Sequence, residues 1–281
     1  MSGSPTYLAT IQRILVAVDG SEHSLAALEA ACSLAAQLHA EIEALFVEDD
    51  DLLRLAELPC ARVLSTLLME PEPTDRDRME RLLRLLAARS QEALQRHSVA
   101  LGVRARFRSV RGRVVAELQA AAGEADLLSL GKAGHGQSGL AGPGSTLRAA
   151  LDAGRPVLVV ERRPRVGHGL LAVYDGSTGS ARALATAAEI AAGTGQELTV
   201  LILGHAAAMD ALSREAVEIV ARHGTSPRLT FSWAQPVIAI PAAVRRVRPA
   251  LVVLSTGEGD RSEERAGPLI KAIDCPLLLV P

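Results

Sequence analysis

The sequence predicts an α/β protein made of two tandem doubly wound domains, each with a five-stranded parallel sheet. Three observations carry this. Short apolar runs alternate along the chain with longer Ala/Leu-rich runs of helical period, the pattern of parallel strands covered by helices on both faces. The stretch LVAVDGSEHSLAALEAACSLAA (15–36) returns 156 residues later as LAVYDGSTGSARALATAAEIAA, with Asp175-Gly176-Ser177 on Asp19-Gly20-Ser21. The ends repeat too: RPVLVV (155–160) resembles CPLLLV (275–280) at an offset of 120, which makes the second copy 36 residues shorter. The domains are expected at 1–163 and 168–281, joined near the polar RRPRVGH (162–168).

In the first copy, strands are expected at about 13–19, 41–47, 103–109, 127–130 and 156–160, and helices at about 21–38, 75–97, 113–122 and 145–153. Ser21, Asp75 and Ser145 stand where N-caps belong. The second copy repeats the strands near 170–175, 197–203, 228–233, 250–254 and 276–280. Most of the extra length of the first copy lies between Glu48 and Thr74. It reads either as an added helix and linker on the surface or as a lid or partner-binding element.

Composition excludes several functions. The formal net charge of −2 and the scarcity of aromatics argue against nucleic acid as partner. No run approaches the roughly 18 apolar residues of a membrane span. Three scattered cysteines without a CxxC pair fit a reducing compartment, and the start lacks a signal pattern, so a cytoplasmic location is expected. Cys32, on an apolar helix, is expected in the core.

The segment LGKAGHGQSGLAGPGST (130–146) lies between a strand and a helix, and six of the fourteen residues from Gly131 to Gly144 are glycine. A loop leaving a parallel strand sits at the carboxyl edge of the sheet, where doubly wound folds bind ligands. Bare backbone amides and a helix N-terminus make a cradle for phosphate. Lys132 and Arg148 occur between Gly131 and Leu151 but no carboxylate does, and Ser145 and Thr146 add hydroxyls. Lys132 is followed by Ala133, so this is not a Walker A loop, and it does not follow the first strand as a dinucleotide fingerprint would.

The spacing Gly131-two-Gly134-nine-Gly144-Ser145, with Asp19 in VAVDGS and the terminal GRPVLVV, resembles the universal stress protein family. The resemblance spans nearly the whole chain as two tandem domains. It implies a Rossmann-like sheet in the order 3-2-1-4-5, with last strands pairing across a pseudo-two-fold, Val157–Val160 near Leu277–Val280. It also implies ATP, accompanied by Mg²⁺, as ligand. Gly131, Gly134, Gly144 and Ser145, with Thr146 beside them, would hold ribose and phosphates. Asp19 would contact the adenine side, and Val47 and Leu130 would line the adenine slot. Asp19 has a second reading as a helix cap. Lys132 and His135 read as solvated loop residues or as phosphate contacts, Lys132 more readily as the former.

At the equivalent place the second copy reads STGEGDRSEERAGPL (255–269), without the glycine spacing and with Glu258, Asp260, Glu263 and Glu264. Carboxylates there repel a triphosphate. ATP is therefore expected in the first domain only, with Asp175 reduced to a helix cap. The resulting expectation is an ATP-binding stress-response sensor or switch. It has no catalytic constellation and no metal cluster, and at most weak ATP hydrolysis. A slow ATPase and a nucleotide-independent scaffold for an unknown protein partner are the alternatives. Homodimerisation of the whole chain is compatible with either.

Overall fold

The computed structural model describes residues 11–59, 61–64, 71–132, 143–161, 167–257 and 262–281. The elements run β1 (Arg13–Val18), α1 (Glu22–Leu38), β2 (Glu41–Asp49), α2 (Asp50–Ala56), β3 (Arg62–Leu64), β4 (Pro71–Pro73), α3 (Arg76–Leu101), β5 (Ala105–Gly112), α4 (Val114–Ala122), β6 (Leu127–Gly131), α5 (Pro143–Asp152) and β7 (Val157–Val160). The second half repeats the scheme with β8 (Leu170–Tyr174), α6 (Thr178–Thr194), β9 (Leu198–Leu203), α7 (Met209–Ala221), β10 (Pro227–Ser232), α8 (Pro236–Val247), β11 (Leu251–Ser255), α9 (Ser262–Ala272) and β12 (Leu277–Val280).

Ten of these strands form one sheet in the order β10-β9-β8-β11-β12-β7-β6-β1-β2-β5. Within each half the order is third, second, first, fourth, fifth, and every pairing is parallel. The halves meet through the antiparallel pair β7·β12, where Leu277, Leu278 and Leu279 face Val159, Leu158 and Val157. Leu158 and Leu278 therefore lie opposite each other at the pseudo-two-fold. Both are buried, as are all residues of these two strands. An uncovered strand of that composition would be a template for aggregation, so each half covers the edge the other cannot leave bare.

Alternation along the strands divides the core into two layers. Ile14, Val16, Leu127 and Leu158 face α1, α3, α6 and α7, while Leu15, Leu128, Val157 and Leu279 face α4, α5, α8 and α9. Helix starts follow capping chemistry. Ser21 accepts from the Ser24 N–H and Asp75 from the Arg78 N–H. Ser145 lies within its helix and not ahead of it: α5 begins at Pro143, whose preset φ and missing N–H suit the first turn.

The edge pair β2·β5 extends two residues past the expected end of β2. A cross-strand ion pair holds this stretch, Arg111 on Glu48 at 2.8 Å, so an apolar pattern cannot mark it. The inserted stretch contributes α2, capped by Asp49, whose Leu53 and Ala56 are buried in the main core. It also contributes the separate two-stranded ladder β3·β4, which no periodicity in the sequence marks.

Candidate functional site

Strand order reverses between β1 and β6, which pair in register from Ile14↔Leu127 to Val16↔Ser129. Their carboxyl ends open the crevice at which ligands enter folds of this type. Asp19 follows β1 and Gly131 ends β6, so the topology brings these two expected residues to one point. Leu130 is buried, on the same face as Leu15 and Leu128. Val47, half-buried near the end of β2, is paired with Val110 and packs on that same layer.

The turn after β1 is tightly tied. Asp19 Oδ1 accepts the Ser21 N–H at 2.9 Å, and the Asp19 N–H donates to Ser24 Oγ at 3.2 Å. Gly20 between them has φ +77°, a conformation that a side chain would strain. Ser21 is thus the cap of α1, and Asp19 fixes the cap while its carboxylate stays exposed at the crevice. The second copy builds the same turn: Asp175 Oδ1 accepts the Ser177 N–H at 3.0 Å, and Ser177 caps α6. The expectation that Asp175 itself is the cap is corrected accordingly. Burial opposes charge on Asp175, but hydrogen bonds from Ser177 and Ser180 outweigh it and hold the carboxyl below its usual range.

Gly131 is glycine for a packing reason. A Cβ there would lie 2.5 Å from the carbonyl carbon of His23 and 2.7 Å from the Ser24 nitrogen, in the first turn of α1. Helix and strand end touch backbone to backbone. In the second copy the strand position is Ser255, and the helix position matching His23 is Gly179. A Cβ on Gly179 would run into Ser255 Oγ. The contact keeps one glycine in each copy but on opposite partners. Ser255 Oγ accepts the Gly257 N–H at 3.0 Å, filling the strand end with a side chain where the first copy has none.

Lys132 is not a solvated charge. Its ammonium lies 2.8 Å from Glu161 Oε2 and donates to the Ile273 carbonyl of the second half at 3.3 Å. The other oxygen of Glu161 is 3.8 Å from His23 Nδ1. The expected solvated charge is therefore a largely buried tie between the start of the glycine loop and the end of α9, invisible in sequence because the carbonyl partner is 141 residues away.

Gly134 and His135 lie outside the described residues, as do Glu258 and Asp260. Gly144 and Ser145 fall in the first turn of α5, whose amide groups have no partner within the helix, and Thr146 is half-buried beside them. Glu263 and Glu264 fall in the first turn of α9. Among the described residues, no group of three or more His, Cys, Asp or Glu is placed to hold a metal ion. No described helix is long and apolar enough to cross a membrane. A cavity of about 1000 Å³ lies elsewhere, around β10 in the second half, and shares no residue with this crevice.

Residues 10–161 match the sequence model of the universal stress protein family. Among known structures, a universal stress protein from Archaeoglobus fulgidus DSM 4304 aligns with 95% of this chain and 97% of its own, at 19% identity and a TM-score of 0.70. A putative universal stress protein from Pseudomonas aeruginosa UCBPP-PA14 aligns with 96% of this chain and 93% of its own, at 17% identity and a TM-score of 0.57. These likenesses are of fold. An Archaeoglobus fulgidus universal stress protein in complex with dAMP covers 42% of this chain, at 16% identity and a TM-score of 0.36. No curated protein matches the chain.

Proposed function

Because the chain belongs to the universal stress protein family, we propose that its first domain, residues 1–163, binds ATP with Mg²⁺ and that the protein acts as a nucleotide-dependent switch in a stress response. One observation carries the reading. Asp19 and Gly131 leave neighbouring strands at the point of order reversal, on the sheet edge that α5 enters with its amide-bearing end. The donor set fits a polyanion. From Gly131 to Leu151 the chain has no carboxylate, and the first turn of α5 offers backbone N–H groups.

Gly131, Gly134, Gly144, Ser145 and Thr146 would hold the ribose and phosphates, Asp19 the adenine side, and Val47 and Leu130 the base. Lys132 is committed to Glu161, so backbone amides rather than a lysine carry the anion. The Mg²⁺ would be held by the phosphates, since the protein side supplies no acidic cluster among its described residues. A water-orienting base is likewise missing from the proposed set, which favours binding and release over turnover.

The second domain, residues 168–281, does not take the nucleotide in this reading. Ser255 fills its strand end, and Glu263 and Glu264 occupy the start of α9. Its role is to complete the sheet that a second subunit would otherwise complete. Isothermal titration of the purified chain, with mass spectrometry of any co-purified small molecule, tests the proposal. One adenine nucleotide per chain, lost in Gly134→Ala, is expected. Folded protein that takes up no ATP at millimolar concentration overturns it.

A further inference from the structure

Charge is unevenly spread over the second half. The chain carries 32 Asp and Glu and a formal net charge of −2, yet from Ile219 to Gly257 it has five arginines and no carboxylate. That stretch spans the end of α7, the edge strand β10, the helix α8 and the strand β11. Within it, LTFSWAQPVIAIPAAV (229–244) has no charge of either sign and is bounded by Arg228 on one side and by Arg245 and Arg246 on the other.

Its apolar side chains are exposed where β10 passes into α8. Phe231 is 48% exposed, Trp233 81%, Val237 48% and Ile238 63%. A helix packed on a sheet turns inward at every third or fourth residue, but Gln235, Pro236, Val237 and Ile238 are exposed in succession. The chain therefore projects here as an apolar tip. Its base is fixed: Ala239 and Ile240 are buried, and Ser232 Oγ accepts the Ala234 N–H at 3.2 Å. From Ile238 the exposed side of α8 continues through Ala242 to Arg245 at helical spacing, and Arg246 and Arg248 are exposed at the helix end. Arg246 donates to Thr230 of β10, and Arg228 is exposed at the start of that strand. The nearest carboxylates lie off this face. Asp210, Glu215 and Glu218 belong to α7 on the other side of the sheet, Glu197 precedes β9, and Glu263 and Glu264 stand in α9, which packs toward the seam against α5.

We propose that this face, the tip Trp233–Ile238 with the exposed side of α8, docks on an anionic lipid surface. The tip enters the boundary between headgroups and acyl chains, and Arg228, Arg245, Arg246 and Arg248 lie against the headgroups. Shape selects a lipid layer over a folded partner: the apolar groups stand on a projection and not in a groove, and a fluid layer closes round a projection without a matching socket. Charge selects the anionic kind. The chain as a whole is acidic and is repelled by an anionic bilayer, except through the stretch from which carboxylates are missing. The indole of Trp233, apolar with one polar N–H, suits the water–lipid boundary. Contact is peripheral, because no described helix is long and apolar enough to cross a membrane. It is also independent of the nucleotide reading: β10 is six strands from β6, roughly 30 Å along the sheet.

Trp233 is the chain's single tryptophan, so its fluorescence reports on this surface directly. Full-length protein is mixed with vesicles of phosphatidylglycerol and phosphatidylcholine in a ratio of about one to two, and with vesicles of phosphatidylcholine alone. Co-sedimentation and tryptophan emission are followed at about 50 mM and about 500 mM salt. The expected result is sedimentation with the anionic vesicles and emission at shorter wavelength, both weakened about tenfold or more by salt or by omitting phosphatidylglycerol. Ile238→Glu, and separately Arg245→Glu/Arg246→Glu, should each lower binding about tenfold or more. Leu85→Glu, at an exposed apolar position of α3, should bind as the unaltered chain does. Failure to sediment with anionic vesicles at low salt overturns the proposal, and so does sedimentation with unchanged emission. Equal uptake by neutral vesicles, or undiminished binding by folded Ile238→Glu, overturns it as well. Emission that shifts with protein concentration alone, without vesicles, assigns the tip to a second copy instead. The vesicle series on the unaltered protein decides the matter even if a variant fails to fold.

Discussion

Gly131 and His23 touch through their backbones: a methyl group on Gly131 would sit 2.5 Å from the His23 carbonyl carbon. The pseudo-symmetric contact has Ser255 on the strand and Gly179 on the helix. The fold requires one side-chain-free residue where the first helix crosses the fourth strand, and does not specify which element supplies it.

Gly131→Ala should cost about 1–3 kcal/mol, because backbone and not a flexible side chain stands in the way. Gly179→Ala should cost less, since Ser255 Oγ can turn aside, and Ser255→Gly should recover most of the loss. Urea unfolding of the two single variants and the Gly179→Ala/Ser255→Gly double variant measures the coupling. Additive losses would count against the exchange.

Leu158 and Leu278 face each other at the seam and are 2% and 0% exposed. Either replaced by alanine should cost about 2–5 kcal/mol. The double variant should lose less than the sum, because the two share one contact. Denaturant midpoints report this.

Lys132 belongs to the scaffold through Glu161 and Ile273, so Lys132→Met should lower stability by about 1–2 kcal/mol. It should change ATP affinity by less than about fivefold. Titration calorimetry alongside thermal unfolding separates the two effects, and a loss of affinity without a loss of stability would return Lys132 to the phosphates.

Two groups add to the acid limb of stability, and Glu189, whose carboxyl burial pushes up, opposes them. Burial, and then the neighbouring Arg222, lower the affinity of His223 for its proton, and the hydrogen bonds on Asp175 hold that carboxyl low. Both pKa values lie below those of the unfolded chain, about 6.5 and 3.9. Each contribution is therefore complete above the unfolded value and is lost as pH falls through the folded one. Stability should begin to decline below about pH 6.5 and fall again below about pH 4. His223→Gln should flatten the first decline and Asp175→Asn the second, in pH-resolved denaturation.

Burial pushes the Cys32 and Cys275 thiols up to about 11. In a Cys60→Ser background at pH 8, only about one thiol in a thousand is then thiolate. Labelling by a disulfide reagent should be slow in the native protein and immediate in urea.

The strands are legible in the sequence wherever both faces are buried. Val157–Val160 and Leu277–Val280 stand out because nothing polar interrupts them, and the shared Asp-Gly-Ser turn exposes the duplication from the order of residues alone. Their pairing order follows from family resemblance, since composition carries no partner information. Legibility weakens where side chains act at a distance. The edge strand β5 is expected at 103–109, but its continuation to Gly112 is held by Arg111 on Glu48, a pair that a hydropathy pattern does not register. Of the site residues, Asp19 and Gly131 meet as topology requires. Lys132 looks like a solvated loop charge because its partners come from the residue after β7 and from the other half of the chain. Gly134, the centre of the spacing on which the nucleotide reading turns, lies outside the described residues.

The antiparallel seam changes what the two halves are free to become. Joined through one polypeptide, they meet at an effective concentration of about millimolar or more, whatever the abundance of the protein in the cell. Dilution cannot part them, and neither half must serve as its own mirror image. An identical pair forced to assemble from separate chains would carry every substitution twice. Here Ser255 and the acids of α9 can accumulate on one side while the glycines stay on the other.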